Sequence, residues 1–300
     1  MHHRDHWLGR ILELDPVTDH CEIYRISAGY EFPWDYQRSL ELALFRTYCV
    51  PSISALLSAT GEFRDRPQKR YDDTVLLMAE LAAHGYDSDR GKGALRIINR
   101  AHGRYPIAPD DLRYVLSTFI YDPIDWINQF GWRPLSTSEC LAGFHFYREI
   151  GQRMGIGDLS DDFNEFREFK RDYERTRFTF AESNREIGRY TLQLMCGWYP
   201  PPLRPAVRLA VRSLLDGRML VAFGFEPAPA WIVRATREAL RARSAAVRRM
   251  PVRMTNRLGQ DPHNRTYPGY PDGYRITDLG ADGKQRRRER DPGGATSNER

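Results

Sequence analysis

The sequence predicts an all-α protein built as one large helical domain. Apolar residues recur at i, i+3, i+4 and i+7 along most of the chain, Val/Ile/Thr runs with period-two alternation are nearly absent, and several periodic stretches are bounded by Gly or Pro. With 300 residues, 41% of them apolar and 28% charged, the chain is long enough to bury a sizeable core.

Residues 1–34 read as an irregular N-terminal arm with turn residues and aromatics. A short Arg/Leu-rich helix is expected over 37–49, and Pro51 opens another, "PSISALLSATG". "KRYDDTVLLMAELAAHG" and "GALRIINRAHG" each end on a glycine, as helices commonly do. Between them "GYDSDRGKG" is a connector, since it lacks the strand that a phosphate-binding loop requires. "PDDLRYVLSTFIYDPIDWINQFG" opens on Pro and two acids, which the helix dipole favours there, and Pro123 is expected to kink or restart it. Ser136 and Glu139 form a capping-box pair before "CLAGFHFYREIGQRMG", with Gly155 as the stop. A charged helical pair spans Asp161 to Gly197, and "WYPPPLRP" is the clearest break. Two further helices follow, over about 204–222 and 228–249. Loop-like chain begins at Pro251, and 281–300 reads as a disordered basic tail.

Charge and cysteine usage exclude several classes. Net charge is +5, and Lys284 to Arg300 alone hold six basic and three acidic residues, so the body is close to neutral. No basic nucleic-acid-binding face is expected. No run is long and apolar enough for an integral membrane segment, the N-terminus shows no signal-peptide pattern, and peripheral membrane contact stays open. The four cysteines are scattered without a Cys-x-x-Cys, which reads as free thiols in a cytoplasmic protein. Nucleophile-elbow, Walker and dinucleotide-binding motifs are absent.

The informative residues are polar ones on apolar stripes. On a wheel of ~100° per residue, His102 falls between Leu95 and Ile98, while Arg96 and Arg100 point away and Asn99 lies on the border. One helix earlier, Thr74, Leu77, Met78 and Leu81 form a stripe, with Arg70 one turn before Thr74 and Asp73 placed to pair with Arg70. An imidazole in an apolar pocket stays neutral and can ligate iron, and haem asks for apolar walls, one axial ligand and Arg partners. A satisfied core histidine beside a structural ion pair reads the same residues without a cofactor. A non-haem metal site drawn from His84, His102 and His145 with Glu80, Glu139, Glu149, Asp110 or Asp111 is a third reading, although no Glu-x-x-His or His-Glu-x-x-His occurs.

The blocks "KRYDDT", "ALRIINRAHGRYPIAPDDLRYVLSTFIYDPIDWINQFGWRPL", "FYREIGQRMGIGDL", "LLDGRMLVAFGFEPAP" and "YPGYPDGYRITDLG" occur in this order. Together they resemble the MpaB/rubber-oxygenase family, MpaB branch, across 35–280. The resemblance implies a helical domain enclosing a haem b pocket, and O2-dependent oxidation or cleavage of a C=C bond in an apolar, isoprenoid-like substrate. The rubber-cleaving branch carries Arg-x-x-Lys-Thr, which here reads Arg70, Asp73 and Thr74, so a lysine-ligated haem is not expected. Its Arg-x-x-His reads Arg96 to Asn99, and the iron ligand is carried to His102, the residue typical of the MpaB branch. Arg70, Thr74, Asn99, Arg96 and Arg133 are further candidates around the cofactor, with Arg70, Asp73 and Thr74 nearest the chemistry. The rubber enzymes' catalytic Glu has no safe counterpart; Glu62 lies in about the right region but reads as an exposed loop residue. A catalytically inactive haem- or lipid-binding protein of the same fold is the alternative.

Overall fold

The computed structural model describes residues 4–258, 270 and 273–280, which are helical with no β-strand. Among these residues fourteen α-helices follow in order: α1 (His6–Leu12), α2 (His20–Ile26), α3 (Pro33–Thr47), α4 (Pro51–Thr60), α5 (Glu62–Asp65), α6 (Pro67–His84), α7 (Asp89–His102), α8 (Pro109–Phe130), α9 (Thr137–Arg153), α10 (Phe163–Arg177), α11 (Glu182–Gly197), α12 (Arg204–Leu214), α13 (Gly217–Phe223) and α14 (Ala230–Arg249). A π-helical turn, Ser27–Glu31, joins α2 to α3, and a 3-10 turn, Ile276–Asp278, lies near the C-terminus.

Local signals set many of the ends. Proline occupies the first turn of α3, α4, α6 and α8, where its missing N–H costs no helical hydrogen bond. The capping box forms as the sequence implies: Glu139 N donates to Ser136 Oγ at 3.2 Å, and Ser136 N donates to Glu139 Oε2 at 2.8 Å. Gly85 and Gly155 end their helices with φ of 74° and 72°, a region that favours glycine.

α3 packs along α8, α2 against α9, and α6 against α7. The largest core cluster surrounds Tyr36, Leu81, Tyr121, Ile127 and Phe144, while a second gathers Phe45, Ile187, Met219 and Phe223. Leu42 of α3 touches both, so α3 joins the two cores into one body.

The structure corrects four expectations. The segment 1–34 is not an irregular arm: α1, α2 and the π-turn are packed, with Ile11, Ile23 and Ile26 buried against Ala142 of α9. Seven-residue helices are too short to show a period and too weak to stand alone, and burial against α9 holds them. α3 starts at Pro33, before the expected boundary. The helix expected over 204–222 is two, because the Asp216 carboxylate accepts from Met219 N at 3.0 Å and caps a new start. Pro123 lies buried inside a continuous α8, so the helix does not restart there. The tail 281–300 lies outside the described residues.

No single helix among the described residues is long and apolar enough to cross a membrane, and α3 with α4 qualify only as a pair bent by 98°.

Candidate functional site

α6 and α7 form an antiparallel hairpin. Arg90, at the start of α7, donates to both Glu80 oxygens near the end of α6 at 2.6 and 2.5 Å. The far end of α7 therefore returns to the start of α6 and brings His102 under the influence of Arg70. Burial first, and then the Arg70 charge, push the His102 imidazole down to about 4, so it is neutral at pH 7. Its Nδ1 is sealed from solvent and has no hydrogen-bond partner among the described residues. One turn earlier, Asn99 Nδ2 donates to the Arg153 carbonyl at 3.0 Å, yet Asn99 Oδ1 is buried and equally unpaired. Two orphaned polar atoms on one helical turn mark a place that the protein's own groups do not satisfy.

The other side of α6 faces two small adjoining chambers. The larger, about 70 Å³, lies among Tyr24, Val75, Met78, Phe119 and Tyr147. The smaller, about 30 Å³, lies among Tyr48, Phe63, Arg70, Tyr71, Met195 and Trp198. Glu41, Leu44 and Thr74 line both and form the waist between them. Arg70 donates to Thr74 Oγ1, and Thr74 Oγ1 bonds back to the Arg70 carbonyl at 3.0 Å, so the guanidinium is held by Thr74.

Other candidates are placed elsewhere. Asp73 does not pair with Arg70 and lines neither chamber. Its carboxylate takes the Lys69 ammonium at 2.6 Å and the Tyr270 hydroxyl at 2.5 Å, and Lys69 also donates to the Gly280 carbonyl at 2.8 Å. Asp73 thus ties the C-terminal segment onto the α6–α7 hairpin, because its side chain leaves the helix on the strap side. Arg133 is engaged by two carboxylates and lines neither chamber. It donates to Glu31 at 2.8 Å and to Glu139 at 2.6 Å in a buried network that anchors the π-turn to the start of α9. Arg96 stands on the solvent side of α7, as its wheel position implies. Glu62 lies in α5 rather than a loop and pairs with Arg66.

The histidines named for a non-haem metal site do not converge. Among the described residues no three His, Cys, Asp or Glu side chains come together as a metal-holding group. His84 Nε2 lies 3.8 Å from Glu80, and the His145 ring lies beside His20.

The residue missed from sequence is Glu41. It is buried at the waist, accepts from Tyr71 Oη and from Arg38 Nη2 at 2.6 Å, and burial raises its carboxyl against the opposing Arg38 charge. The signal was available: Gln37, Leu40, Glu41 and Leu44 follow i, i+3, i+4, i+7 spacing, and all four line the larger chamber.

The two apolar chambers lie along α3 and α6, and the neutral imidazole of His102, on α7, lines neither of them. Residues 41–249 match the family described as ER-bound oxygenase mpaB/B'/Rubber oxygenase, catalytic domain, and the chain belongs to that family. It is 30% identical to ER-bound oxygenase mpaB' of Penicillium brevicompactum over 229 residues, covering 70% of this chain and 54% of that protein. It is 36% identical to ER-bound oxygenase mpaB of Penicillium roqueforti (strain FM164) over 142 residues, 45% and 47% of the two chains. Against ER-bound oxygenase mpaB of Penicillium brevicompactum it is 31% identical over 219 residues, 66% and 55% of the two chains. The matched region thus spans about half the length of these curated relatives.

Proposed function

We propose that this chain is a haem b-dependent oxygenase that uses O2 to oxidise or cleave a C=C bond in an apolar, isoprenoid-like substrate. Membership of an oxygenase family supports the reaction class. The observation that carries the cofactor is His102, a neutral imidazole whose buried Nδ1 has no partner among the described residues.

Taken one by one, the groups suit haem, although His102 itself lines neither chamber. An imidazole resisting protonation keeps a lone pair for iron, Arg70 is a cation suited to a carboxylate, and the walls are apolar. Volume is the unmatched part. Chambers of about 70 and 30 Å³ fall short of the ~300 Å³ and more usual for cofactor sites, so a tetrapyrrole enters only as side chains along the hairpin part. Haem held by His102 would supply the redox chemistry that activates O2.

The protein's own groups do the rest. Val75, Met78 and Phe119 keep water from an apolar chain and hold it by burial. The Thr74 hydroxyl, fixed by Arg70, presents a polar group at the waist. Glu41 Oε, raised by burial, is the group placed to take or return a proton beside bound substrate. Four free thiols fit a cytoplasmic setting.

The test is the visible spectrum of the purified protein. A Soret band and a b-type pyridine haemochrome are expected, and His102→Ala is expected to abolish them. Full haem retention in that variant overturns the ligand assignment. Absence of O2 consumption with polyprenyl and terpenoid substrates by the haem-loaded protein would favour a non-catalytic binder.

A further inference from the structure

Tyr86 stands in the turn that joins α6 to α7, is 6% exposed and lines neither chamber. Its hydroxyl lies 2.5 Å from His20 Nε2, and His20 Nδ1 lies 2.5 Å from the Val17 carbonyl oxygen. A carbonyl oxygen only accepts, so Nδ1 carries the proton of the neutral imidazole and Nε2 is left to accept from Tyr86. The Cys21 thiol is hydrogen-bonded to the same phenol, and the Arg153 guanidinium stacks 4.0 Å above its ring. Burial pushes the Tyr86 phenol up, so it keeps its proton at pH 7. Inward from Tyr86 the rings continue. Phe146 lies 5.9 Å away and stacks on Tyr24 at 4.3 Å, and the Tyr24 and Tyr147 hydroxyls share a hydrogen bond of 2.8 Å. Tyr24 and Tyr147 line the larger chamber. An aromatic path thus joins the chamber wall to a half-buried imidazole through a phenol that has its own proton acceptor.

We propose that Tyr86 and His20 form a redox site that carries oxidising equivalents away from the larger chamber. A strong one-electron oxidant, generated from O2 at the chamber when no substrate is there to consume it, receives one electron from Tyr86 by way of Phe146 and Tyr24. The phenolic proton passes at the same time to His20 Nε2, within direct hydrogen-bond reach. The products are a neutral Tyr86 phenoxyl radical, a His20 imidazolium and the reduced oxidant. The Arg153 cation over the ring disfavours a radical cation there, so the proton must leave with the electron, and His20 is the base that takes it. A soluble thiol then returns the electron, and His20 returns the proton. The source of the oxidant rests on the oxygenase reading above; the redox competence of the Tyr86–His20 pair does not.

Freeze-quench electron paramagnetic resonance of the full chain tests this in two arms. In one, haem-loaded protein without organic substrate is mixed with hydrogen peroxide. In the other, flash-generated tris(bipyridine)ruthenium(III) oxidises the protein directly, with or without cofactor. Both should give a tyrosyl signal coupled to an exchangeable proton, and deuterium oxide should remove that coupling. Tyr86→Phe is expected to lose most of the signal. His20→Gln, which leaves the phenol in place, is expected to lower the yield and abolish the coupling. Tyr105→Phe, at an exposed ring (42%), should change neither. The coupling is read in the unaltered chain, so the test stands even if a variant folds poorly. A signal undiminished in Tyr86→Phe, an unchanged yield in His20→Gln, or no exchangeable coupling overturns the redox pair. A Tyr86 signal in the flash arm alone, from protein with a Soret band, overturns the path from the chamber. Protein without a Soret band would defeat the haem reading instead, and the flash arm then decides the pair.

Discussion

Lys69 and Asp73, one turn apart on α6, form a buried ion pair at 2.6 Å that the Tyr270 hydroxyl and the Gly280 carbonyl complete. This arrangement explains why an aspartate can stand where the rubber-cleaving branch carries lysine: the position serves the C-terminal strap here and lines neither chamber.

Asp73→Ala is therefore expected to strand a buried ammonium and cost about 3–5 kcal/mol. Urea unfolding measures the loss. Hydrogen exchange should show that Gly273–Gly280 lose protection first, with the chambers unaffected at low temperature. Unchanged exchange in that segment would refute the strap assignment.

His102 sets an acid limit on the protein. A histidine held at about 4, against 6.5 when unfolded, leaves the unfolded chain binding more protons between those values. Its contribution is complete above 6.5 and is lost as pH falls toward 4, at most about 3 kcal/mol. His102→Leu should flatten that part of the stability profile, as read by denaturant unfolding of haem-free protein across this range. An unchanged slope would place the imidazole in solvent.

Glu41→Gln keeps the size of the side chain and an acceptor for Tyr71 Oη while removing the titratable group. Turnover is expected to fall roughly a hundredfold with haem content intact. Normal turnover in steady-state O2 consumption would leave Glu41 a structural role only.

Gly91→Ala separates local propensity from packing. In a free helix alanine would gain about 1 kcal/mol over glycine. Here its methyl would meet the Gly85 carbonyl oxygen at 2.0 Å, so the variant is expected to lose about 2–3 kcal/mol in urea unfolding. A stabilised variant would mean that the turn between α6 and α7 opens easily.

The sequence by itself determined the all-α class, the two helices α6 and α7 with the connector between them, and the capping box of α9. Each follows from spacing of 3.6 residues or from a cap, which are properties of neighbouring residues. Only the tertiary structure decided that Asp73 faces Lys69 and Tyr270, that Arg133 is consumed by Glu31 and Glu139, and that α1 and α2 are helices at all. It also brought Glu41 to a waist built from two helices: Leu44 shares its helix, but Thr74 comes from α6. The reason is physical: a polar side chain near the edge of a stripe takes whichever partner the neighbouring elements bring within hydrogen-bond reach, and those partners are remote in the chain.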